Sequence, residues 1–305
     1  MNNKWLISIV GPTGIGKTSL AIKLAQYFKS EIISADSRQF FKEMTIGTAV
    51  PSEEELRAAN HHFIQNISIF DEYSVGDFER DAIALLQKLF KEKDIVIMVG
   101  GSGLYIDAIS KGLDKFPEVD PKIRTRLNDI LKEEGISALQ KQLSDLDPVY
   151  FNNVDIENPH RIIRALEICI GTGKPFSSFL NQEKEKRNFK TISIGIDAER
   201  NIIYDRINRR VDLMVAAGLL DEARSLEPHK SLNALQTVGY RELFKYLEGE
   251  YTLDFAISEI KKNSRRFAKR QLTWFKKNEQ IIWVDYQADI PSIVEKIKQK
   301  INPIK

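Results

Sequence analysis

The amino-acid sequence predicts an α/β fold with a parallel sheet, because short apolar runs alternate with segments of helical periodicity. The first apolar run, residues 5–10, leads into a glycine-rich loop and then into a helix over 17–28. Two further strands are predicted at residues 31–35 and 94–99, with a helix at 77–91 between them. Ligands bind sheets of this kind at the carboxyl ends of the strands, so we expect the functional residues at that edge.

The middle of the chain has a different character. Helical patterns without a convincing strand fill residues 117–189, and strand character returns at 191–196. We therefore predict a catalytic core formed by residues 1–116 and 190–305, with 117–189 as a helical insertion domain that can move relative to the core. The alternative is one continuous domain with a helical edge.

The last third of the sequence predicts two long helices. One spans residues 199–217, where Gly218 suits the position just after a helix, and the other spans 253–277. On the second helix, Ile260, Phe267 and Trp274 recur every seven residues and are predicted to face the core. Six cations on the same helix form a basic stripe that we expect to bind a phosphate backbone, although such a stripe is often only a solvated face. These cations are Lys261, Lys262, Arg265, Arg266, Lys269 and Arg270.

The composition excludes several classes of protein. A net charge of +2 gives no strong overall attraction to nucleic acid, so any RNA contact has to come from clustered basic residues. The single cysteine, Cys169, lies in an apolar run, which predicts a buried thiol, and the four histidines have no zinc-binding spacing. No apolar run is long enough to predict a membrane span, and we expect a cytoplasmic monomer.

A phosphate-binding loop follows the first strand and opens the first helix, which is the context that this motif requires. Its glycines allow backbone N–H groups to surround phosphate oxygens, and the helix N-terminus adds partial positive charge. We predict that Lys17 reaches a terminal phosphate and that Thr18 ligates Mg²⁺. The core is therefore expected to be P-loop NTPase-like and to bind a diphosphate or a nucleotide such as ATP. The predicted binding residues are Gly11, Pro12, Thr13, Gly14, Ile15, Gly16, Lys17 and Thr18.

The acidic residue at the active edge is not where a P-loop NTPase usually has it. The strand at 94–99 runs into Gly100 and Gly101 and not into a carboxylate that would help to hold Mg²⁺. The carboxylate comes instead from the second strand, as Asp36. This difference argues against ordinary hydrolysis of a nucleoside triphosphate.

Ten segments along the chain form an ordered set that is far more specific than the loop alone. They are residues 11–18, 36–39, 46–49, 73–78, 100–105, 158–167, 172–175, 210–218, 236–242 and 265–275. This set resembles the tRNA dimethylallyltransferase (tRNA isopentenyltransferase) family. Three positions depart from the usual pattern of that family: Ser102 replaces threonine, Phe40 replaces valine, and Val50 replaces lysine.

The resemblance implies transfer of a dimethylallyl group from dimethylallyl diphosphate to N6 of adenosine 37, in tRNAs that read codons beginning with U. It also implies dependence on Mg²⁺, release of diphosphate, and a base that is extruded from the anticodon stem-loop into a tunnel through the enzyme. Contact with tRNA is implied for the core and for the insertion domain. The implied tRNA-binding residues are Asp36, Ser37, Arg38, Gln39, Ser102, Arg124, His160, Arg161, Ile162, Ile163 and Arg164.

The chemistry of the transfer predicts roles for four side chains. The amine of adenine is a poor nucleophile because its lone pair is delocalised, so a carboxylate that accepts its proton assists attack. We assign this general base to Asp36; the alternatives are a structural cap and a residue that holds Mg²⁺ indirectly, through one of its ligands. Lys17, Thr18 with Mg²⁺, and Arg210, which the resemblance supports, are predicted to stabilise the departing diphosphate.

Two other hypotheses use the same loop. A kinase for a small molecule or nucleotide would also need it, but the basic helix and the position of Asp36 argue against this class. A non-catalytic RNA-binding protein would use the loop only as a nucleotide switch. Group transfer to RNA, phosphorylation without RNA, and RNA binding without transfer distinguish the three hypotheses.

Overall fold

A six-stranded parallel sheet forms the centre of the structure, a computed structural model that describes residues 4–182 and 184–302. The strands are β1 (Trp5–Val10), β2 (Ile32–Ser34), β3 (His61–His62), β4 (Ile95–Val99), β5 (Lys190–Asp197) and β6 (Ile282–Asp285). Their order across the sheet is β3-β2-β4-β1-β5-β6, and every neighbouring pair is parallel. The carboxyl ends of β1, β2 and β4 therefore lie side by side at one edge.

Helices connect the strands and cover both faces of the sheet. One apolar cluster packs the helices at Lys17–Phe28, Arg200–Ala216 and Ile290–Ile301 onto one face, and a second cluster packs those at Val75–Leu89 and Gly103–Lys111 onto the other. The helices are α1 (Lys17–Phe28), α2 (Glu53–Ala58), α3 (Val75–Leu89), α4 (Gly103–Lys111), α5 (Pro121–Glu133), α6 (Ile136–Leu146), α7 (Pro148–Phe151), α8 (Pro159–Thr172), α9 (Arg200–Ala216), α10 (Leu219–Leu226), α11 (Tyr240–Leu247), α12 (Leu253–Phe275) and α13 (Ile290–Ile301).

The predicted α/β fold class is confirmed, and most predicted elements lie within two residues of their observed bounds. Two local signals explain where elements begin and end. Ser74 and Asp77 form a capping box at the start of α3, which begins two residues before the predicted start. Gly218 adopts a φ of 101°, and it follows the C-cap of α9 as predicted. The sequence did not predict β3, because only two residues of that segment pair with β2.

A third apolar cluster lies beside the sheet and was not predicted. It is formed by α10, α11 and the first turns of α12, together with Phe41 and Met44 from the segment after β2. Tyr240 lies at its centre with no exposed surface. The cluster fixes the segment between β2 and α2, which contributes to the functional edge of the sheet.

Contacts between Cα atoms divide the chain into two compact units. The unit that contains the sheet comprises the described residues up to Lys111 and those from Arg187 onward, and the second unit is Gly112–Lys186. The prediction placed the insertion at 117–189, so the bounds differ by a few residues at each end. The second unit is helical, and α5, α6 and α8 enclose its own apolar cluster.

Cys169 lies in the core of that second unit. Its side chain is buried, and its sulfur accepts a hydrogen bond from the backbone N–H of Phe176 at 3.2 Å. Burial raises the pKa of the thiol, which keeps it protonated and unreactive. The predicted role as a core residue is confirmed.

A helix must be both long and apolar to cross a lipid bilayer. Among the helices of residues 4–182 and 184–302, none is long and apolar enough to do so.

Candidate active site

The phosphate-binding loop lies between β1 and α1, at the carboxyl edge of the sheet. Gly16 forms the N-cap of α1 with a φ of 107°, a backbone conformation that residues with a Cβ rarely adopt. Ile15 anchors the loop because its side chain is buried in the apolar cluster under α1. The loop therefore has a fixed backbone and presents the N-terminus of a twelve-residue helix to a ligand.

Lys17 lies in the first turn of α1 and folds back over the loop. Its Nζ donates a hydrogen bond to the carbonyl of Pro12 at 2.9 Å. Burial lowers the pKa of Lys17 to about 8, although the nearby carboxylate of Asp36 acts in the opposite direction. The neighbouring guanidinium of Arg210 lowers the pKa further. An amine with a pKa near 8 gains its full charge when an anion binds beside it.

Asp36 follows β2 and begins a tight turn over residues 36–39. Its Oδ1 accepts the backbone N–H of Arg38 at 3.3 Å, so the carboxylate also stabilises the turn, as the cap alternative required. Ser37 is held by Ser102, whose hydroxyl accepts the Ser37 N–H at 3.3 Å. The turn thus places the carboxylate of Asp36 close enough to Lys17 to interact electrostatically with its amine.

The other two residues of this turn have partners inside the protein. Arg38 donates from Nη1 to the carbonyls of Asn233 and Ala234 at 2.9 and 2.8 Å. Gln39 is buried, and its amide donates to the carbonyl of Ala49 at 2.8 Å. Both side chains therefore shape the site, and their predicted contact with tRNA stays a prediction.

Arg210 and Arg206 approach the loop from α9. Nη1 of Arg210 lies 3.4 Å from the hydroxyl of Thr13, and burial lowers the pKa of its guanidinium while Asp36 raises it. Arg206 is exposed, but its Nε also donates to the carbonyl of Gly14 at 2.9 Å. One face of α9 thus supplies two cations to a loop that was predicted to bind an anion.

Thr13, Asp36 and Arg210 lie on the wall of a cavity of about 590 Å³ within the unit that contains the sheet. Among the described residues on its wall, Asp36 is the only carboxylate. Four arginines line the cavity, and an apolar wall faces them. The arginines are Arg38, Arg210, Arg241 and Arg270, and the apolar residues include Leu104, Ile207, Val211, Met214, Val238, Phe267 and Trp274. The cavity therefore combines a positively charged region with an apolar region and one carboxylate.

The prediction that Ile260, Phe267 and Trp274 of α12 all face the core is wrong for two of the three. Ile260 is buried at 3% exposure, but Phe267 and Trp274 are 39% and 41% exposed and line the cavity. A seven-residue spacing places side chains on one face without showing whether that face meets a core or a cavity. The core face of α12 is formed instead by Ala256, Ile260, Ala268, Gln271 and Phe275.

The basic stripe of α12 is partly occupied by internal partners. Lys261 forms an ion pair with Asp212 at 2.6 Å, and Arg265 donates to an asparagine of α9 at 2.7 Å. These two cations hold α12 against α9. Arg270 lines the cavity and is exposed, so this part of the stripe is available to a ligand, whereas the exposed Lys269 lines a separate hollow with Asp197 and Tyr204.

Sequence reasoning missed Glu222, which holds one wall of the cavity. Its carboxylate accepts the backbone N–H groups of Thr45, Ile46 and Gly47 at 3.0, 2.7 and 2.8 Å. It also accepts the hydroxyl of Tyr240 at 2.7 Å. A glutamate whose backbone partners lie about 175 residues away leaves no local signal in the sequence.

The predicted tRNA-binding residues of the second unit divide into two groups. Ile162 and Ile163 are 0% and 4% exposed in the apolar core, which argues against direct RNA contact by their side chains. His160 and Arg161 are exposed at the start of α8.

Arg124 and Arg164, in the same unit, share one buried carboxylate. Both form ion pairs with Glu167, at 2.8 and 3.1 Å, and both guanidiniums remain about half exposed. The carboxylate fixes the two cations next to each other, which is a suitable arrangement for binding phosphate.

The donor atoms at the loop limit the kind of metal site that can form there. The described residues contain no group of three or more histidine, cysteine, aspartate or glutamate side chains that would hold a metal ion without help. The side-chain oxygens of the loop and of the neighbouring turn include the hydroxyls of Thr13 and Thr18 and the carboxylate of Asp36. Such a set fits Mg²⁺ that is bound mainly by substrate oxygens and water, and it does not fit a dedicated protein cage.

Comparison with known proteins places the chain in a family. The model of the IPP transferase family matches residues 39–278, which is more than half of the chain. The tRNA dimethylallyltransferase of Christiangramia forsetii is 63% identical over 300 residues, which cover 98% of this chain and 99% of that protein.

Solved structures support the same relationship. The tRNA isopentenylpyrophosphate transferase from Bacillus halodurans is 37% identical, with a TM-score of 0.71 and coverage of 98% of this chain and 95% of that one. A eukaryotic dimethylallyltransferase described as acting on tRNA is 27% identical, with a TM-score of 0.82 and coverage of 99% and 81%. The chain therefore belongs to the IPP transferase family, as its ordered motifs predicted.

Proposed function

We propose that the protein transfers a dimethylallyl group from dimethylallyl diphosphate to N6 of adenosine 37 in tRNAs that read codons beginning with U. The observation that carries this proposal is the cavity, where one carboxylate faces a phosphate-binding loop, several arginines and an apolar wall. Relatives named as tRNA dimethylallyltransferases support the reaction class. The products are N6-(dimethylallyl)adenosine and diphosphate.

The donor fits the division of the cavity into basic and apolar regions. Its diphosphate binds at the loop, where the N-terminus of α1 and Lys17 supply positive charge. Its branched five-carbon chain suits the apolar wall that Ile207, Val211 and Met214 form.

Transfer breaks the bond between the allylic carbon and the diphosphate oxygen and forms a bond from that carbon to N6. Asp36 accepts the proton that N6 loses, because it is the one carboxylate on the described part of the wall. Lys17 and Arg210 balance the negative charge that grows on the departing diphosphate. Mg²⁺, with the Thr18 hydroxyl as a protein ligand, would supply further charge to the diphosphate oxygens.

The acceptor base has to leave the stack of the anticodon loop to enter the cavity. Phe267 and Trp274 present exposed aromatic faces on the wall, and aromatic side chains stack on unpaired bases. Arg270 lies between them on the same face of the helix and supplies charge for the phosphate backbone. Arg124, His160, Arg161 and Arg164 of the second unit are proposed as additional contacts with the tRNA.

The pH dependence of donor use reports on Lys17. Because its pKa in the free protein is lowered to about 8, the amine is charged below that pH and neutral above it. We expect kcat/KM for dimethylallyl diphosphate to be level below pH 8 and to fall about tenfold per pH unit above it. Lys17→Arg should shift this fall to higher pH, since a guanidinium keeps its proton. A fall that starts at the same pH in both proteins would contradict the assignment.

Removal of the exposed aromatic faces should weaken tRNA use selectively. We expect Phe267→Ala and Trp274→Ala each to raise KM for tRNA about tenfold, since stacking on a base contributes about 1–3 kcal/mol. Phe255→Ala is a matched control, because Phe255 is also exposed on α12 but makes an edge-to-face contact with Tyr251 outside the cavity wall. Equal effects of the three substitutions on KM for tRNA would contradict a stacking role.

The reaction itself is tested by analysis of the modified nucleoside. Unmodified tRNA is incubated with protein, Mg²⁺ and dimethylallyl diphosphate, and the digested nucleosides are identified by mass spectrometry. We expect one new nucleoside, adenosine with the allyl group on N6. Transfer of phosphate from ATP to a nucleoside in the absence of tRNA would support the kinase hypothesis, and tRNA binding without any transfer would support a binding protein.

A further inference from the structure

Gln271 is a polar residue on the buried face of α12. The other buried positions of this helix are alanine, isoleucine or phenylalanine, as an amphipathic helix requires. Gln271 is only 5% exposed, so its amide is removed from water. Burial of an amide is costly unless both its oxygen and its nitrogen find partners. The partners of Gln271 therefore indicate why a glutamine occupies this position.

Both ends of the amide are satisfied by loops at the functional edge. Oε1 accepts the backbone N–H of Thr13, in the phosphate-binding loop, at 2.8 Å. Nε2 donates to the carbonyl of Gly101, in the loop after β4, at 3.0 Å. Because β1 and β4 are neighbours in the sheet, these loops lie side by side, and Gln271 joins them.

The space around Gly101 is shaped by this bridge. A Cβ at Gly101 would lie 2.1 Å from Nε2 of Gln271 and 3.7 Å from Nζ of Lys17. The backbone of Gly101 does not need a positive φ, so close approach of the amide is the reason that this position excludes a side chain.

Thr13 links the bridge to the catalytic cations. Its backbone is held by Gln271, while its hydroxyl lies 3.4 Å from Nη1 of Arg210. A shift of Thr13 would therefore move the phosphate-binding loop relative to Arg210. Gln271 makes this connection from the helix that also carries Phe267 and Trp274 on its cavity face.

We infer that Gln271 is a positioning residue that fixes the phosphate-binding loop against the loop at Gly101 and so sets the place of the donor's diphosphate in the cavity. This inference rests on the proposed function for its kinetic consequences. Gln271 acts through Thr13 and Gly101 and takes no part in the bond changes.

The test compares Gln271→Met with the unchanged protein. Methionine keeps the length and burial of the side chain but loses both hydrogen bonds. We expect KM for dimethylallyl diphosphate and the Kd for inorganic diphosphate, from calorimetry, to rise about tenfold, with KM for tRNA changed less than about twofold. Gln299→Met, on the exposed side of α13, is the matched control and should leave all three values unchanged.

A second variant tests the same bridge from its other partner. Gly101→Ala keeps Gln271 but forces its amide away, so it should reproduce the donor-specific loss. In the double variant, the Kd for diphosphate should lie within about twofold of that of the more affected single variant, because both substitutions remove the same interaction. If Gln271→Met does not fold, Gly101→Ala alone decides the question.

Two results would overturn the inference. One is an unchanged affinity for diphosphate in both variants, and the other is an equal loss for tRNA and donor together with a lowered Tm, which indicates a purely structural role. Failure of the proposed function is a different result, namely no transfer by the unchanged protein. The affinity for inorganic diphosphate still tests Gln271 in that case.

Discussion

Asp36→Asn should lower kcat by about 10³, because a positioned general base contributes about 10² to 10⁴ to such a step. Asparagine has the same shape, and its oxygen can still accept the backbone N–H of Arg38, so the turn is kept. It has no carboxylate to take the proton from N6. KM for tRNA and for dimethylallyl diphosphate should therefore change less than about threefold. Single-turnover measurements with saturating donor report the chemical step directly.

The control and the magnesium dependence separate the roles proposed for Asp36. Asp221→Asn changes an exposed carboxylate of α10 that pairs with Arg224, and it should leave kcat unchanged. If a higher Mg²⁺ concentration restores the rate of Asp36→Asn, the residue acts as a metal ligand. If the variant keeps full turnover at all Mg²⁺ concentrations, the assignment of the general base is wrong.

Arg210→Gln should lower kcat by about 10² to 10³, the usual cost of removing one group that stabilises developing negative charge. The guanidinium lies beside Thr13 and is electrostatically coupled to Asp36 and Lys17. Its charge is needed most when the diphosphate leaves, so kcat should fall more than affinity for the donor. Arg210→Lys should recover part of the rate, because an ammonium replaces the charge but not the planar set of donors.

Arg209 offers a control on the same helix. It is exposed and forms an ion pair with Asp205 at 2.9 Å, one position from Arg210 along the chain. Arg209→Gln should leave kcat within about twofold, since an exposed ion pair contributes little. An equal loss of kcat in the two variants would show that the charge of α9 acts generally, without a specific role for Arg210.

The parts of the site that depend on local sequence were predicted correctly in position. The phosphate-binding loop is specified by closely spaced glycines between a strand and a helix, and Asp36 follows directly from the end of β2. Parallel strands bring their carboxyl ends together, so the meeting of this loop, Asp36 and the loop at Gly101 follows from the fold class.

The parts that depend on distant partners were not predicted. Gln271 and Thr13 are separated by 258 residues, and the amide of a glutamine gives no sign in the sequence of which backbone group it meets. Phe267 and Trp274 show a different limit, because an apolar helix face looks the same whether it meets a core or a cavity. A buried polar residue within an apolar helix face was the available signal for Gln271.

The chemistry proposed for the cavity is tested by one matched pair of acceptors. Unmodified tRNA with adenosines at positions 36 and 37 is compared with the same tRNA carrying guanosine at position 37, each with labelled dimethylallyl diphosphate and Mg²⁺. The geometry predicts label in the adenosine 37 tRNA alone, because the base that enters the cavity must offer N6 to Asp36. Label in both tRNAs, or in neither while both bind, would contradict the proposed transfer.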